Sequence, residues 1–354
     1  EELGSVYESL LEFHPRIDVA EAIPSFNLDL LGRERRSTGS HYTPPELVAP
    51  LIQHALEPVM QDRLKEAKTK EAKEKAILDL KVCDPACGSG HFLLAAARRL
   101  GKELARIRTG EEEPAPEGVR VAIRDVVSHC LYGVDKNPLA VELCRVALWL
   151  ESHAEGKPLT FLDHRILCGD SLVGVLDLEI LKKGIPDEAF SAVGGDDKNV
   201  ATALKKRNRQ ERERESEQAL PFSTAGGIGD LGAMGREMLA IPDDSPELIR
   251  RKKDMYLRQQ RDPNRIRLED ACNIYVGAFF QPLSKEAVQR DAAITSAALR
   301  TRLDGTQVAP LIAAQAEEQG VHERFFHWPL AFPEVLAKAG FDLILGNPPF
   351  IGGA

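Results

Sequence analysis

The sequence contains no long apolar run, although 43% of its residues are hydrophobic. A membrane-spanning helix needs about 20 consecutive apolar residues, so the sequence predicts neither a membrane segment nor a membrane partner. The first residues, Glu1 to Ser5, are acidic and polar and show no signal-peptide pattern. We therefore expect a cytoplasmic location.

Cysteine is sparse, with six residues scattered along the chain. The most closely spaced pair is Cys83 and Cys87, and no second Cys/His pair lies nearby to complete a zinc site. We therefore predict no metal site. We expect all six thiols to be small buried groups in a reducing compartment.

Basic residues are outnumbered by acidic ones, which gives a net charge of −9. Such a chain is not a general binder of polyanions, so local patches or other parts would have to attract any nucleic acid. Two charged runs, residues 205–217 and 250–261, mix both signs. We interpret them as solvated faces rather than nucleic-acid contacts.

Small residues separate a predicted strand, residues 78–83, from a predicted helix, residues 91–104. Gly88 and Gly90 have no Cβ, so a ligand can approach the backbone and positive φ is easily adopted. The first N–H groups of the helix would face the same place. This arrangement is typical of a cofactor loop at the carboxyl edge of a parallel sheet, and a plain glycine-rich turn is the alternative.

The glycine loop fits neither common phosphate-binding pattern. It is not a P-loop, because no Gly-Lys-Ser/Thr follows it. It is not a complete G-x-G-x-x-G motif either, because Leu93 stands where the third glycine would be. The loop alone therefore leaves the cofactor open.

Two further predicted strands are followed by an acid. Residues 130–135 end in Asp135, and residues 164–168 are followed by Gly169 and Asp170. An acid after a glycine loop commonly accepts hydrogen bonds from both ribose hydroxyls of a nucleoside cofactor, and Asp170 could accept one from an adenine amino group. The alternatives are a helix N-terminal charge for Asp135 and a turn residue for Asp170.

A last buried strand, predicted at residues 341–346, leads into Asn347, Pro348, Pro349 and Phe350. If this strand is parallel to the strand before the glycine loop, both loops emerge at the same sheet edge. The two prolines fix φ and would hold the neighbouring hydrogen-bond acceptors rigidly. Without the glycine loop, an ordinary turn would be the simpler interpretation.

The start of the chain has helical features. Apolar residues recur near helical spacing before residue 12, and residues 1–40 are predicted to be a helical lead-in. Thr43 suits an N-cap and Pro44 the first helical position. The helix that follows should bury one apolar face, made of Val48, Leu51, Ile52, Ala55 and Val59.

Taken together, these motifs and their order resemble the γ-class S-adenosylmethionine-dependent methyltransferases that act on N6 of adenine in DNA. The resemblance implies that Tyr42 and Thr43 belong to an N-terminal cofactor motif. It also implies that residues 84–90 bind S-adenosylmethionine, through Asp84, Ala86, Gly88 and Gly90. Asp135 would bind the ribose, Asp170 the adenine side, and Asn347, Pro348, Pro349 and Phe350 would be catalytic.

The nearest resemblance is to the large methylases of type IIG restriction systems and of BREX- and DISARM-type phage defence. They share the lead at residues 37–40 and an aromatic-Trp-Pro stretch, here residues 325–329. The implied partners are double-stranded DNA with a flipped adenine, and the remaining part of the chain or a specificity subunit. We expect an incomplete protein, because the sequence ends four residues after Phe350.

The implied chemistry suits these residues. The lone pair of an exocyclic adenine amine is conjugated with the ring, so the protein must draw it out and aim it at the methyl donor. The side-chain oxygen of Asn347 and the carbonyl of Pro348 can accept the two amine hydrogens. Phe350 offers a flat face for a base swung out of the helix.

We therefore predict an α/β fold with a doubly wound, mostly parallel, Rossmann-like sheet and a largely helical insertion. The predicted regions are 1–40, the lead-in; 41–180, the cofactor-binding region; 181–320, the insertion; and 321–354, the start of the catalytic region. Alternatives to DNA methylation are methylation of RNA or of a protein glutamine amide, and a non-catalytic cofactor-binding scaffold. A nicotinamide dehydrogenase would have no use for the Asn-Pro-Pro motif.

Overall fold

The computed structural model describes residues 13–18, 25–30, 45–217 and 224–348. The chain divides into two units, one made of Glu1–Cys168 with Phe341–Ala354 and the other of Gly169–Gly340. No helix in the described ranges is long and apolar enough to cross a membrane. The four-region division predicted from the sequence stays a prediction.

The first unit is built on a four-stranded parallel sheet. Its strands, in chain order, are β3 (Val82–Asp84), β4 (Leu131–Asp135), β5 (Ile166–Cys168) and β6 (Leu343–Ile344). Their spatial order is β5-β4-β3-β6, and each neighbouring pair is parallel. The chain thus moves outward on one side of β3 and returns on the other, which places a topological switch point beside β3. The predicted parallel α/β class is confirmed.

Along the chain, helices precede and separate the strands of this unit. They are α1 (Pro45–Leu51), a π-helical turn (Ile52–Leu56), α2 (Glu57–Glu66), α3 (Lys70–Leu78), α4 (His91–Thr109), α5 (Pro116–His129) and α6 (Pro138–Glu151). Leu93, Leu100 and Leu104 of α4 are fully buried in the core, and each such leucine stabilises the fold by about 1.5–3 kcal/mol. The apolar face predicted for residues 48–59 lies in or against this core, as expected.

The N-terminal segment corrects one prediction. β1 (Phe13–Asp18) and β2 (Ser25–Leu30) form an antiparallel pair, so the predicted helical lead-in is wrong over these residues. Both segments alternate apolar and polar residues with the period of two that favours strands. In the observed register Phe13 is opposite Leu30 and Ile17 is opposite Phe26. The apolar residues before Phe13 lie outside the described residues.

The second unit is helical. After two short 3₁₀ segments, Leu178–Lys183 and Asp187–Phe190, its helices are α7 (Lys198–Glu217), α8 (Thr224–Leu239), α9 (Pro246–Gln260), α10 (Pro263–Gly277), α11 (Lys285–Gln289), α12 (Ser296–Leu303), α13 (Pro310–Glu323), α14 (Trp328–Ala331) and α15 (Pro333–Leu336). It has its own apolar core, to which α10 contributes Leu268, Ala271 and Ile274.

The charged runs of this unit are only partly solvated. Arg209 and Arg212 on α7 both pair with Asp187. On α9 the ammonium of Lys252 lies 2.5 Å from a carboxylate oxygen of Asp243, with both side chains buried. The prediction of a solvated face is therefore wrong at Lys252. Its buried ammonium group is tolerated because a carboxylate pairs with it.

The cysteines also differ from expectation at one position. Five of the six are buried, whereas Cys168 at the end of β5 is exposed, and all six are free thiols. Cys168 stands where the parallel strand meets the carboxyl edge of the sheet, which is more open to solvent than the strand centres. Burial of all six was therefore wrong for Cys168.

Candidate functional site

The loop after β3 has the backbone that the two glycines were expected to allow. Gly88 has φ of +52° and Gly90 has φ of +93°. The N–H of Gly90 donates to the carbonyl of Cys87 (2.8 Å), and the carbonyl of Gly90 accepts from the N–H of Leu94 (2.8 Å) in the first turn of α4. The loop therefore leads directly into the helix through two positions with a left-handed backbone conformation, which favours glycine.

The two glycines serve different purposes. A Cβ on Gly90 would lie 2.8 Å from the sulfur of Cys144, a buried residue of α6, so Gly90 is needed for packing. A Cβ on Gly88 would meet nothing within 4 Å. Gly88 therefore leaves open space beside the loop, which is the room that a ligand would use.

Asp135 at the end of β4 is bonded to this loop. Its Oδ2 accepts from the N–H of Gly88 (2.8 Å), and its Oδ1 accepts from the N–H of Asn137 (2.7 Å) at the start of α6. The loop and β4 are also joined by a bond from the Cys87 N–H to the Val134 carbonyl (2.9 Å). Both readings of Asp135, a ligand acceptor and a helix N-terminal charge, are compatible with this geometry.

Asp84 ends β3 and is almost fully buried, at 1% exposure. Its Oδ1 accepts from the N–H of Ala86 (3.0 Å), and within the described ranges its Oδ2 has no hydrogen-bond partner. The pKa of Asp84 is raised from 3.8 to about 7, chiefly by burial; the bond from Ala86 opposes this rise and the charge of Asp135 adds to it. A buried oxygen without a partner is costly, so Asp84 suits a site that a ligand completes.

The Asn-Pro-Pro segment emerges at the same sheet edge. β6 lies parallel beside β3, and the Leu345 N–H continues the pairing by donating to the Cys83 carbonyl (2.9 Å). A Cβ on Gly346 would lie 2.8 Å from Oδ1 of Asp84, so the backbone just before Asn347 passes against that carboxylate. The parallel pairing that the sequence analysis required is thus observed.

The described ranges cover only part of the residues predicted to be catalytic. Asn347 and Pro348 are exposed, whereas Pro349 and Phe350 lie outside the described residues. Tyr42 and Thr43 lie outside them as well. Of the predicted residues, the structure therefore brings together Asp84, Ala86, Gly88, Gly90 and Asp135, with Asn347 and Pro348 directly after Gly346.

Asp170 belongs to the second unit and has different contacts. Its Oδ1 accepts from the N–H of Leu172 (3.0 Å), which is the geometry of a turn residue. Its own N–H donates to the carbonyl of Arg324 (2.7 Å), and it forms a parallel bridge with Phe325. The turn interpretation therefore holds for one oxygen, and the proposed adenine contact stays a prediction.

Sequence reasoning missed the residues that shape the loop from beneath. A Cβ on Gly133, within β4, would lie 3.1 Å from the sulfur of Cys87 and 3.0 Å from Cδ1 of Leu93. A glycine inside a strand signals a close backbone approach, so Gly133 carried a readable signal. Cys144 carried none, because its contact with Gly90 depends on how α6 packs.

Comparison with known families agrees with a methylase fold. The family model described as Eco57I restriction-modification methylase matches residues 129–354. The model described as MmeI, DNA-methyltransferase domain, matches residues 60–161. A parallel sheet with a glycine loop and strand-end acids is the framework expected of such enzymes, and the first match covers more than half of the chain. The chain therefore belongs to the Eco57I restriction-modification methylase family.

Two curated proteins are similar to the chain. One, from Methanocaldococcus jannaschii and named as a type II restriction enzyme and methyltransferase, is 23% identical over 98% of this chain and 30% of its own length. The other, the adenine-specific methyltransferase PglX of Streptomyces coelicolor, is 40% identical over 22% of this chain and 6% of its own length. The chain thus spans less than a third of either relative. No solved structure matches it significantly. The predicted resemblance to restriction-modification DNA methylases is confirmed.

Proposed function

We propose that the chain is the cofactor-binding and catalytic part of an enzyme that methylates N6 of adenine in DNA, within a restriction-modification or phage-defence system. The observation that carries this proposal is the meeting of three strand ends. Asp84, the Gly88–Asp135 bond and the segment leading to Asn347 lie at one edge of the sheet, beside its switch point. Ligands of α/β sheets bind at such points.

The residues present fit S-adenosylmethionine. Gly88 leaves open space, Asp135 is bonded to that loop and is the proposed acceptor for the ribose hydroxyls, and Asp84 has a buried oxygen without a described partner. Ala86 and Gly90 would set the loop, and Tyr42 and Thr43 stay proposed cofactor contacts. Asp170 is the proposed acceptor for the adenine amine, since it follows β5 by two residues. The bound cofactor would supply a methyl group activated by a sulfonium.

The chain's own residues would then orient the substrate amine. The side-chain oxygen of Asn347 and the carbonyl of Pro348 accept its two hydrogens and so turn its lone pair out of the aromatic ring. Pro349 fixes the backbone behind them, and Phe350 stacks on the flipped base. Because the sulfonium of the bound cofactor would already activate the methyl group, no covalent enzyme intermediate is needed. Positioning and a preorganised polar site would supply the rest of the rate enhancement.

The substrate and the partners follow from the relatives. The name of PglX specifies adenine, and the matching families are restriction-modification and DNA methylases, so double-stranded DNA with a flipped adenine is the proposed substrate. The rest of the polypeptide, or a specificity subunit, would select the sequence. A cytoplasmic location goes with these proposals.

The test is methyl transfer by the full-length protein to DNA, RNA and protein, with the methylated product identified by mass spectrometry. Asn347→Ala should lower turnover by about 10²–10³, the scale of losing one preorganised polar contact in the transition state, while cofactor binding remains. Asn199→Ala is a matched control, because Asn199 is an exposed asparagine at the start of α7. Normal turnover of Asn347→Ala would refute the mechanism. Methyl on cytosine, on RNA or on glutamine would refute the adenine-DNA assignment.

A further inference from the structure

The segment that carries Asp170 is joined along its length to a stretch far along the chain. The Asp170 N–H donates to the Arg324 carbonyl (2.7 Å), the Phe326 N–H to the Val173 carbonyl (2.8 Å), and the Trp328 N–H to the Val175 carbonyl (3.1 Å). Together these bonds pair residues 170–175 with residues 324–328, which we call the Asp170 clasp. All of its residues belong to the second unit.

Glycines show how closely the two sides of the Asp170 clasp approach. A Cβ on Gly174 would lie 1.8 Å from the carbonyl oxygen of Phe326, and one on Gly169 would lie 2.5 Å from Cδ2 of the same residue. A side chain at Gly174 would require the backbone to move, and one at Gly169 would require the side chain of Phe326 to move. The path of the chain on both sides of Asp170 is therefore set by Phe326.

Two side chains reinforce this pairing. The indole N–H of Trp328 donates to the carbonyl of Ser171 (3.0 Å), the residue directly after Asp170. Nδ1 of His327 accepts from the N–H of Val175 (3.2 Å), and its Nε2 lies 2.9 Å from Oδ1 of Asn273. Burial, with a smaller effect of the Arg265 charge, lowers the pKa of His327 to about 3. His327 is thus neutral and serves as an acceptor at Nδ1.

The indole of Trp328 is itself fixed. It is 8% exposed, and its ring centre lies 5.0 Å from that of Phe326 and 5.9 Å from that of Phe332. Because the ring is fixed, the indole N–H cannot keep its bond to the Ser171 carbonyl if that carbonyl moves. The backbone at Ser171 is held in one place from the far side of the clasp.

We propose that Trp328 is a positioning residue. By fixing the backbone beside Asp170, it sets the protein's preference for a cofactor that carries adenine. This inference rests on the proposed function. A hydrogen bond weakens steeply once distance and angle depart from their narrow preferred ranges. A small shift of residues 170–171 would therefore weaken the proposed bond from an adenine amine to the Asp170 carboxylate.

The test compares two ligands that differ only at that amine. S-adenosylhomocysteine carries the 6-amino group, and its purine-riboside analogue carries a hydrogen atom there and keeps N1 as an acceptor. Calorimetry on the full-length protein should give a wild-type preference for the adenine form of about 10–100-fold, the range for a hydrogen bond to a charged group. Asp170→Asn should reduce that preference to within about threefold, and Trp328→Phe should do the same because it removes the indole N–H together with part of the ring.

The chain offers a matched control. The other tryptophan, Trp149, also donates its indole N–H to a backbone carbonyl, that of Thr160 (2.8 Å), in the first unit. Trp149→Phe loses the same kind of bond and should keep the wild-type preference. Because both phenylalanine variants lose one indole bond, a general loss of stability would affect them alike, whereas the ligand preference should change only in Trp328→Phe.

The outcomes separate the two proposals. Wild-type preference retained in Trp328→Phe but lost in Asp170→Asn would overturn the positioning inference and leave the proposed function intact. A wild-type protein that binds both ligands equally would overturn the inference at its premise, and one that binds neither would overturn the cofactor assignment too. If Trp328→Phe does not fold, benzothienylalanine at position 328 replaces the N–H by sulfur in a ring of the same shape, and the same loss of preference is expected.

Discussion

Asp135 ends β4 and Asp170 follows β5 by two residues, yet the two acids are held in different ways. Asp135 is fixed by the glycine loop and by its own turn, through the N–H groups of Gly88 and Asn137. Asp170 is fixed by the clasp, in which the bond from Trp328 to Ser171 spans 157 residues. The first acid is positioned by neighbouring strands of the sheet, and the second by a distant part of the chain.

This difference indicates which residues of the proposed site should keep their positions when other parts of the chain are perturbed. Residues held by the sheet keep their place as long as the sheet forms. Residues held by a remote segment depend in addition on closing a long loop, whose entropic cost grows slowly with its length. Perturbing the clasp should therefore affect Asp170 and leave the Gly88–Asp135 bond in place.

The largest effect is expected from Gly174→Ala, which should disrupt the Asp170 clasp. Its Cβ would lie 1.8 Å from the Phe326 carbonyl oxygen, and a backbone atom cannot yield without separating the paired segments. We expect a loss of about 3 kcal/mol or more in the free energy of unfolding, at the upper end for overpacking.

Thermal and denaturant unfolding measure this loss, with Gly194→Ala as the control. Gly194 has an ordinary backbone and open space around the added Cβ, so its variant should stay within about 0.5 kcal/mol of wild type. Equal stability of the two variants would show that the clasp is not tightly closed.

The sequence was informative where the contacts are local. The glycine loop, the acid at the end of β4 and the edge shared with Gly346 could be predicted, because spacing along strands and turns determines them. Gly169 and Asp170 were read as a strand-end pair, but nothing in residues 164–172 indicates Phe326 as their neighbour. The aromatic-Trp-Pro stretch was noticed as a motif without a structural role. The pairing of Lys252 with Asp243 was also missed, since charge patterns do not reveal which charges are buried.

A second prediction concerns Gly88 and Gly90, the two glycines of the loop that is bonded to Asp135. Gly90→Ala meets both a left-handed φ and the Cys144 sulfur at 2.8 Å, so we expect a loss of about 2–3 kcal/mol of stability. Gly88→Ala meets only the left-handed φ, with a loss of about 1 kcal/mol. Its methyl group would instead fill the open space proposed for the cofactor.

Unfolding and ligand calorimetry on the same two variants test this division. Gly88→Ala should lose more affinity for S-adenosylmethionine than Gly90→Ala, although it is the more stable of the two. The reverse order of affinities would mean that the open space beside Gly88 is not the cofactor site.

The last prediction concerns Asp84, the third acid of the first unit's sheet edge, and it depends on pH. The pKa of Asp84 is raised to about 7 in the folded protein, chiefly by burial, and an unfolded aspartate has a pKa near 3.9. The folded state therefore holds the proton more tightly. The associated stability is fully present below about pH 4 and is lost as the pH rises through about 7. Asp84→Asn carries no such proton and should lack this slope.

The measurement is the free energy of unfolding of both proteins between pH 4 and pH 8, without cofactor. The difference between variant and wild type should grow by at least about 1 kcal/mol over that range, since one unit of pKa shift corresponds to about 1.4 kcal/mol. Other carboxylates titrate in both proteins and cancel in the difference. A constant difference for Asp84→Asn would mean that Asp84 is ionised throughout and that its buried oxygen is already satisfied without a ligand.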